Sequence, residues 1–550
     1  MRTPAGWQTH GIFPRLPAGL IVLDGSLKAP AYVGAFSADL NRGVLYTVGA
    51  LDNSEPYTEE VQNLYLRSDL RSPGAGTYRL LTPCPLCAEK NAALHAINQS
   101  VKPSFMGASA DLTHVVFESS INLVKPANSG SPKLYENEEG TLRLVGILPS
   151  GQAASTSKAW VASNLAVNPG NVSADGSKVF WTDGTSIYMR LNHETTVELN
   201  ESELSPPEGN GSALIRDVTP DGSKVFFADS TSLTANAPEG GGTYVYDTTK
   251  PASDPHNLVF VGPGVPIGAS ADGDTVYLLA GERIYVSRGG ELRRVGSVDE
   301  GGSLYFNIVN KVANLRVSSA GQLLFKDLVP PRGLAGQFPG YCPNASSKFC
   351  AQLYSYDPAT EALTCVSCPL SAAEGAITEL IHFYSVNATQ ITGGENHAIS
   401  SDGDHVFFST DAALVPDDTN GVTDAYSFNT ATSRVSLLSS GTDRYPSYFM
   451  EATPDGSNAL FATKGPLSGW DFDTNSDLYD ARVDGGLPEP LPVPAACEGE
   501  SCRQPTEPMP GREATSSESL VGPGNPKPKP RHRRKHHKKR RHHARHGGHK

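Results

Sequence analysis

Four groups of residues carry side chains whose type and spacing suit chemistry. Asp471, Asp473, Asn475 and Asp477 place oxygen-bearing side chains at alternate positions of one short segment. Ca²⁺ takes six to eight such oxygens, and alternation suits a loop curled around an ion. The related segment from Asp417 to Asp424 is a looser version. Neither has the Gly at the sixth position of an EF-hand loop, and Arg482 stands where that loop needs its bidentate Glu. The alternative is an Asx-turn loop that leads into a strand. Eight cysteines fall in four local pairs, Cys84 with Cys87, Cys342 with Cys350, Cys365 with Cys368, and Cys497 with Cys502. Close pairs in even number favour disulfides and an oxidising compartment. The rival is two zinc half-sites at Cys84/Cys87 and Cys365/Cys368, weakened by their separation and the lack of nearby His.

The third group is the C-terminal tail. Residues 527–550 hold 12 Lys and Arg, 7 His and no acidic residue, among them Arg531, Arg533, Arg534, Lys535, Lys538, Lys539, Arg540 and Arg541. The remaining 526 residues hold 33 Lys and Arg against 58 Asp and Glu, a net charge of −25. An acidic body with a basic tail suits attachment to an anionic polymer. The tail has no Phe, Tyr or Trp to stack on bases, so specific nucleic-acid reading is not expected. Its histidines also offer transition-metal ligands. A solvated tail without a partner is the plain alternative. The fourth group is scattered: His193, His256, His382, Ser230 and Asp229 converge only if the fold brings them together, and a lone His in a β-rich domain is commonly a surface or packed residue. No G-x-S-x-G elbow, P-loop or H-E-x-x-H motif occurs. No catalytic residue and no obligatory cofactor is assigned.

The elements that position these groups are set by an internal repeat. Val172-Ser173-Ala174-Asp175-Gly176-Ser177-Lys178-Val179-Phe180-Trp181 reads as a strand end, a tight Asp-Gly corner and a β-branched and aromatic strand. The phrase recurs at Asp221-Gly222, Asp272-Gly273, Asp402-Gly403 and Asp455-Gly456, with weaker copies at Ser37–Asp39, Ser109–Asp111 and Ser318–Gly321. Eight copies at this period predict stacked four-stranded units. Each Asp has a structural use, because its side chain can bond the backbone two residues on while Gly takes the positive φ. A sialidase Asp-box needs a residue between Asp and Gly, and these corners have none. The sixth copy is enlarged by loops Asp327–Ala351 and Pro369–Glu395, which are functional or decorative insertions. The eighth copy lacks a fourth strand, while Gly19–Asp24 supplies a spare one. A closed ring would reconcile the two.

Val406-Phe407-Phe408 with Asp424-Ala425-Tyr426, and Leu460-Phe461-Ala462 with Asp477-Leu478-Tyr479, complete the repeat unit. Corner, aromatic strand and Asp-x-Tyr strand together resemble the WD-repeat-like propeller repeat of the TolB-type family over about residues 19–485. With the local Cys pairs of Leu363–Pro369 the chain is similar to exported actinobacterial repeat proteins. The resemblance implies an all-β closed propeller, eight blades favoured and seven the alternative, in a protein-binding or envelope role.

The expected organisation is an N-terminal extension over 1–18, the propeller over 19–485, a Pro-, Glu- and Ser-rich linker over 486–526, and a basic tail without a core over 527–550. No apolar run reaches the roughly 20 residues of a membrane helix, and no signal peptide is visible before residue 18. The cysteines nonetheless suggest export, which a start site placed too far downstream would explain. The functional expectation is a monomeric, non-enzymatic binding or scaffold protein of the cell envelope. Its propeller face takes a protein or glycan and its tail takes an anionic envelope polymer. The alternative is a hydrolase or lyase for an envelope glycan, with its site in a central channel.

Overall fold

A computed structural model describes, with short gaps, residues 31–48, 62–88, 103–159, 171–208, 211–297, 315–327, 352–368, 378–379 and 397–485, together with a two-stranded pair near the N-terminus. The chain divides into two units, Met1–Glu489 and Pro490–Lys550. Among the described residues the first unit is all-β apart from one short helix, Pro85–Ala88. Among the described residues no helix is long and apolar enough to cross a membrane.

The strands form successive antiparallel meanders in chain order. The second sheet is typical, with Ser104–Ala108, His114–Ser119, Lys133–Glu138 and Thr141–Leu144 lying side by side. The fourth sheet repeats it as Leu214–Val218, Lys224–Asp229, Gly242–Asp247 and Leu258–Gly262. Six sheets of the described residues have four strands, and the third and eighth have three. This is a propeller-like series of sheets. The strand Gly19–Asp24 expected to complete the last sheet lies outside the described residues. Part of the segment read as an insertion after Pro369 is structural, because Thr378–Glu379 pairs with Ser409 and Thr410 of the seventh sheet.

Both faces of an interior sheet are apolar, so the sheets stack. Val115, Phe117 and Tyr135 of the second sheet pack on Val44 and Leu64 of the first. On its other face Val116 and Leu134 meet Val179, Trp181 and Tyr188 of the third. The pattern continues to the eighth sheet, where Phe449 and Ala459 pack with Phe407 of the seventh. Period-two alternation therefore feeds two cores rather than a core and a solvent face.

The repeated corner links one sheet to the next. Asp175 Oδ1 accepts from Ser173 Oγ, Ser177 N and Ser177 Oγ at 2.6, 3.0 and 2.9 Å. Asp221, Asp272, Asp402 and Asp455 make the same local bonds. Corners are also joined in series. Ala110 N donates to Ala174 O at 2.9 Å, Ala174 N to Pro220 O at 2.7 Å, Ala320 N to Ser401 O at 2.9 Å and Ser401 N to Pro454 O at 2.7 Å. Gly176, at φ +78°, shows why the corner needs Gly. A Cβ there would stand 2.1 Å from the ring of His114 in the preceding sheet.

A third device recurs on the third strands. Tyr135, Tyr244 and Tyr426 are fully buried, and their hydroxyls accept the backbone N–H of Leu123, Leu233 and Leu414 at 3.0, 3.0 and 3.4 Å. Tyr135 and Tyr244 donate in turn to the carbonyls of Ile121 and Thr231, and Tyr426 donates to Asp418. Each clamp pins the loop between second and third strands, where buried backbone groups need partners.

Candidate metal centre

Two histidines and two glutamates meet where the second sheet joins the third. His114 opens the second strand of its sheet and stands opposite Glu138 of the third strand. Glu136 lies two residues before Glu138, so the period of two puts both carboxylates on one face. His193 comes from the turn between the strands Ile187–Leu191 and Thr195–Glu198 of the third sheet. Asn192 and His193 hold φ of +47° and +60° there, the two left-handed conformations of a type I′ turn. Arg190 fixes this turn by donating to the carbonyls of His193 and Glu194 and to Thr196 Oγ1.

Glu136 is 1% exposed, and both of its oxygens face an imidazole. Oε1 is 2.8 Å from His114 Nδ1 and Oε2 is 2.8 Å from His193 Nδ1. The two rings stack with centroids 5.8 Å apart and planes 14° apart. Their far nitrogens share the other carboxylate. His114 Nε2 is 3.9 Å from Glu138 Oε1, and His193 Nε2 is 3.5 Å from Glu138 Oε2. Arg143 donates to Glu138 Oε2 and holds that carboxyl below the ordinary range, with smaller help from the two His. Burial lowers the pKa of Arg190, and the nearby Glu136 charge opposes that shift. His114, Glu136 and His193 thus place one ligand atom each within 4.8 Å of one another.

Other sheet junctions use the position of His114 differently. Lys178 Nζ donates to Gly222 O and Thr248 Oγ1 of the following sheet, both at 3.0 Å. Lys224 Nζ donates to Asp272 O at 2.9 Å and pairs with Asp274 at 2.6 Å. Both of these cations reach forward to the following sheet. An imidazole facing a second imidazole across a buried carboxylate marks out the junction of sheets two and three.

The residues singled out from the sequence fall elsewhere. Asp471 accepts the hydroxyl of Tyr479 at 2.5 Å, and that tyrosine is pushed up to about 12 by burial and then by this carboxylate. In the related segment, Asp418 accepts from Tyr426 and Asp424 accepts from Ser439 and Asn420. Asn475 and Asp477 are exposed, and Asp473 lies outside the described residues. Cys365 and Cys368 are joined in a disulfide, which removes them as a zinc half-site, and Cys84 is also disulfide-bonded. Cys342, Cys350, Cys497, Cys502, His382 and the basic residues of the tail lie outside the described residues. Asp229 is held by Thr231 and Asn200, Ser230 Oγ accepts from Ser212 N, and His256 N donates to Asp254. Of the scattered candidates among the described residues, His193 is the one that joins a cluster. Its partners His114, Glu136 and Glu138 were not singled out. The available signal was His114 at the repeat position that holds Lys178 and Lys224 in the next two copies.

No protein-family model matches the chain, and no curated protein matches it. Solved structures do. The dipeptidyl peptidase 4 of Porphyromonas gingivalis is 10% identical over 82% of this chain, at a TM-score of 0.42. This chain spans 58% of that peptidase. An oligogalacturonate lyase in complex with manganese is 13% identical over 69% of this chain and 89% of its own, at 0.32. A putative TolB from Agrobacterium tumefaciens is 15% identical over 57% of this chain and 91% of its own, at 0.24. No substrate, metal or reaction passes from these proteins to this chain.

Proposed function

We propose that this chain is a non-enzymatic binding or scaffold protein of the bacterial cell envelope. In this reading residues 19–485 close into an eight-bladed propeller, one face binds a protein or glycan, and the basic tail tethers the acidic body to an anionic polymer. The observation that carries it is where the repeated polar residues go. The corner aspartates and third-strand tyrosines are consumed in holding sheets and loops together, which leaves recognition to the loops that vary between copies. The charge division between body and tail supports the tether. The local disulfide agrees with an exported protein, as the likeness to exported actinobacterial repeat proteins implies.

A hydrolase or lyase centred in the channel would be favoured by a His or carboxylate cluster on the innermost strands. The cluster in hand stands instead on second and third strands and on a turn.

Sedimentation with purified cell envelope tests the proposal, using the full chain and a version ending at Gly524 at low and high salt. The full chain is expected in the pellet, the shortened chain in the supernatant, and high salt releases the full chain. If neither sediments, the envelope reading fails. If both sediment regardless of salt, the propeller carries the affinity and the tether fails.

A further inference from the structure

We propose that His114, Glu136 and His193 form a binding site for a transition-metal dication of the Zn²⁺ class, clamped between the second and third sheets. A neutral imidazole has one N–H and one lone pair. If each Nδ1–H donates to Glu136, each Nε2 turns a lone pair toward the carboxylate of Glu138. If each Nε2–H points toward Glu138, each Nδ1 lone pair meets a Glu136 oxygen at 2.8 Å. The Nδ1–H form is satisfied at Glu136 without an ion, because 3.9 and 3.5 Å to Glu138 are too long for a good hydrogen bond, whereas the Nε2–H form sets acceptor against acceptor at Glu136. A cation between the two Nδ1 atoms and Glu136 would stabilise the Nε2–H form. It takes the Nδ1 lone pairs and the buried carboxylate as ligands and leaves both Nε2–H groups for Glu138.

The composition fits that class of ion. Two imidazoles and one carboxylate are the ligand types of zinc and its neighbours, whereas Ca²⁺ and Mg²⁺ prefer oxygen alone. The 2.8 Å separations between ligand nitrogen and ligand oxygen are hydrogen-bond distances, and a tetrahedral ion with bonds of about 2.0–2.2 Å would open them to about 3.4 Å, a side-chain adjustment of about half an ångström. Glu138 plays the outer part that a carboxylate takes behind a ligating imidazole, and Arg143 holds it there. Its distances of 3.5 and 3.9 Å call for a small side-chain shift or one bridging water. The His side chains are 14% and 23% exposed, so an ion can enter and a fourth position stays open to solvent. Three ligands from two sheets also make the ion a staple across a junction that Lys178 and Lys224 bridge elsewhere.

The test must separate this site from the seven histidines of the tail. Thermal unfolding of the full chain, compared between wild type and variants of the site, does so, because an ion bound to the folded body raises the midpoint and the tail histidines are the same in every variant. Midpoints are measured with Zn²⁺, with Ca²⁺ and with chelator, for wild type, His193→Asn and Glu138→Gln. Asn tolerates the left-handed turn position, so His193→Asn should keep the fold. Its midpoint in chelator checks this. Zn²⁺ is expected to raise the wild-type midpoint by several degrees, Ca²⁺ to leave it unchanged, and His193→Asn to lose the Zn²⁺ shift. Glu138→Gln keeps the ligands and should need 10–100-fold more Zn²⁺ for the same shift. No Zn²⁺ shift in the wild type, or an equal shift in His193→Asn, overturns the site and leaves a hydrogen-bonded ion pair. Neither outcome bears on envelope binding, which the sedimentation experiment reads separately.

Discussion

Asp111 shows what each corner carboxylate does. Burial alone would raise its pKa, but hydrogen bonds from Thr113 and Ser109 outweigh that and pull it to about 2. Asp455 is brought to about 2 by the same kind of bonds from Thr453 and Ser457. A carboxyl depressed in the folded state stabilises most above its unfolded pKa of about 3.9, and the gain is lost as pH falls through the folded value. Asp111→Asn is therefore expected to destabilise the chain by about 1 kcal/mol at neutral pH. The gap to wild type should close between pH 4 and about pH 2. Urea unfolding at several pH values checks this, and a gap independent of pH would show that the charge plays no part.

At the scale of the element, two devices make separate predictions. Tyr244→Phe deletes the hydroxyl that accepts Leu233 N–H and donates to Thr231 O. Two buried backbone groups lose a partner, so stability should fall by about 1–3 kcal/mol in denaturant titration. A loss well under that would mean that water replaces the hydroxyl. Gly176→Ala meets both the positive φ and the His114 ring. It should cost about 2 kcal/mol or more, since the left-handed backbone alone costs a non-Gly residue roughly 1–2 kcal/mol. Because the displaced ring belongs to the metal cluster, the same variant should weaken the Zn²⁺-dependent rise in unfolding midpoint. The equivalent change at Gly222, which faces Lys178 and Ser173, should destabilise without touching that rise.

Over the whole first unit, the sheets behave as a stacked series. Each interior sheet lends apolar side chains to two neighbours, and corners donate to corners along the chain. In such a series neighbouring interfaces carry much of the stability. The acidic body and basic tail belong to different units, and the salt-dependent envelope experiment asks whether that division of charge is used.

The repeat phrase alone determined the corner, the aromatic second strand and the Asp-x-Tyr third strand, because these depend on contacts within a few residues. The fate of Asp175 was legible for the same reason, since its partners Ser173 and Ser177 are neighbours in sequence. For the candidate ligands of residues 471–477, spacing alone cannot show that Asp471 accepts from a tyrosine on the next strand. The His–Glu–His cluster was decided by tertiary structure. His114 and Glu138 meet only once strand register is set, and His193 reaches Glu136 only when one sheet's turn is laid against its neighbour's face. Such a contact depends on how whole sheets stack, and local sequence carries no term for that.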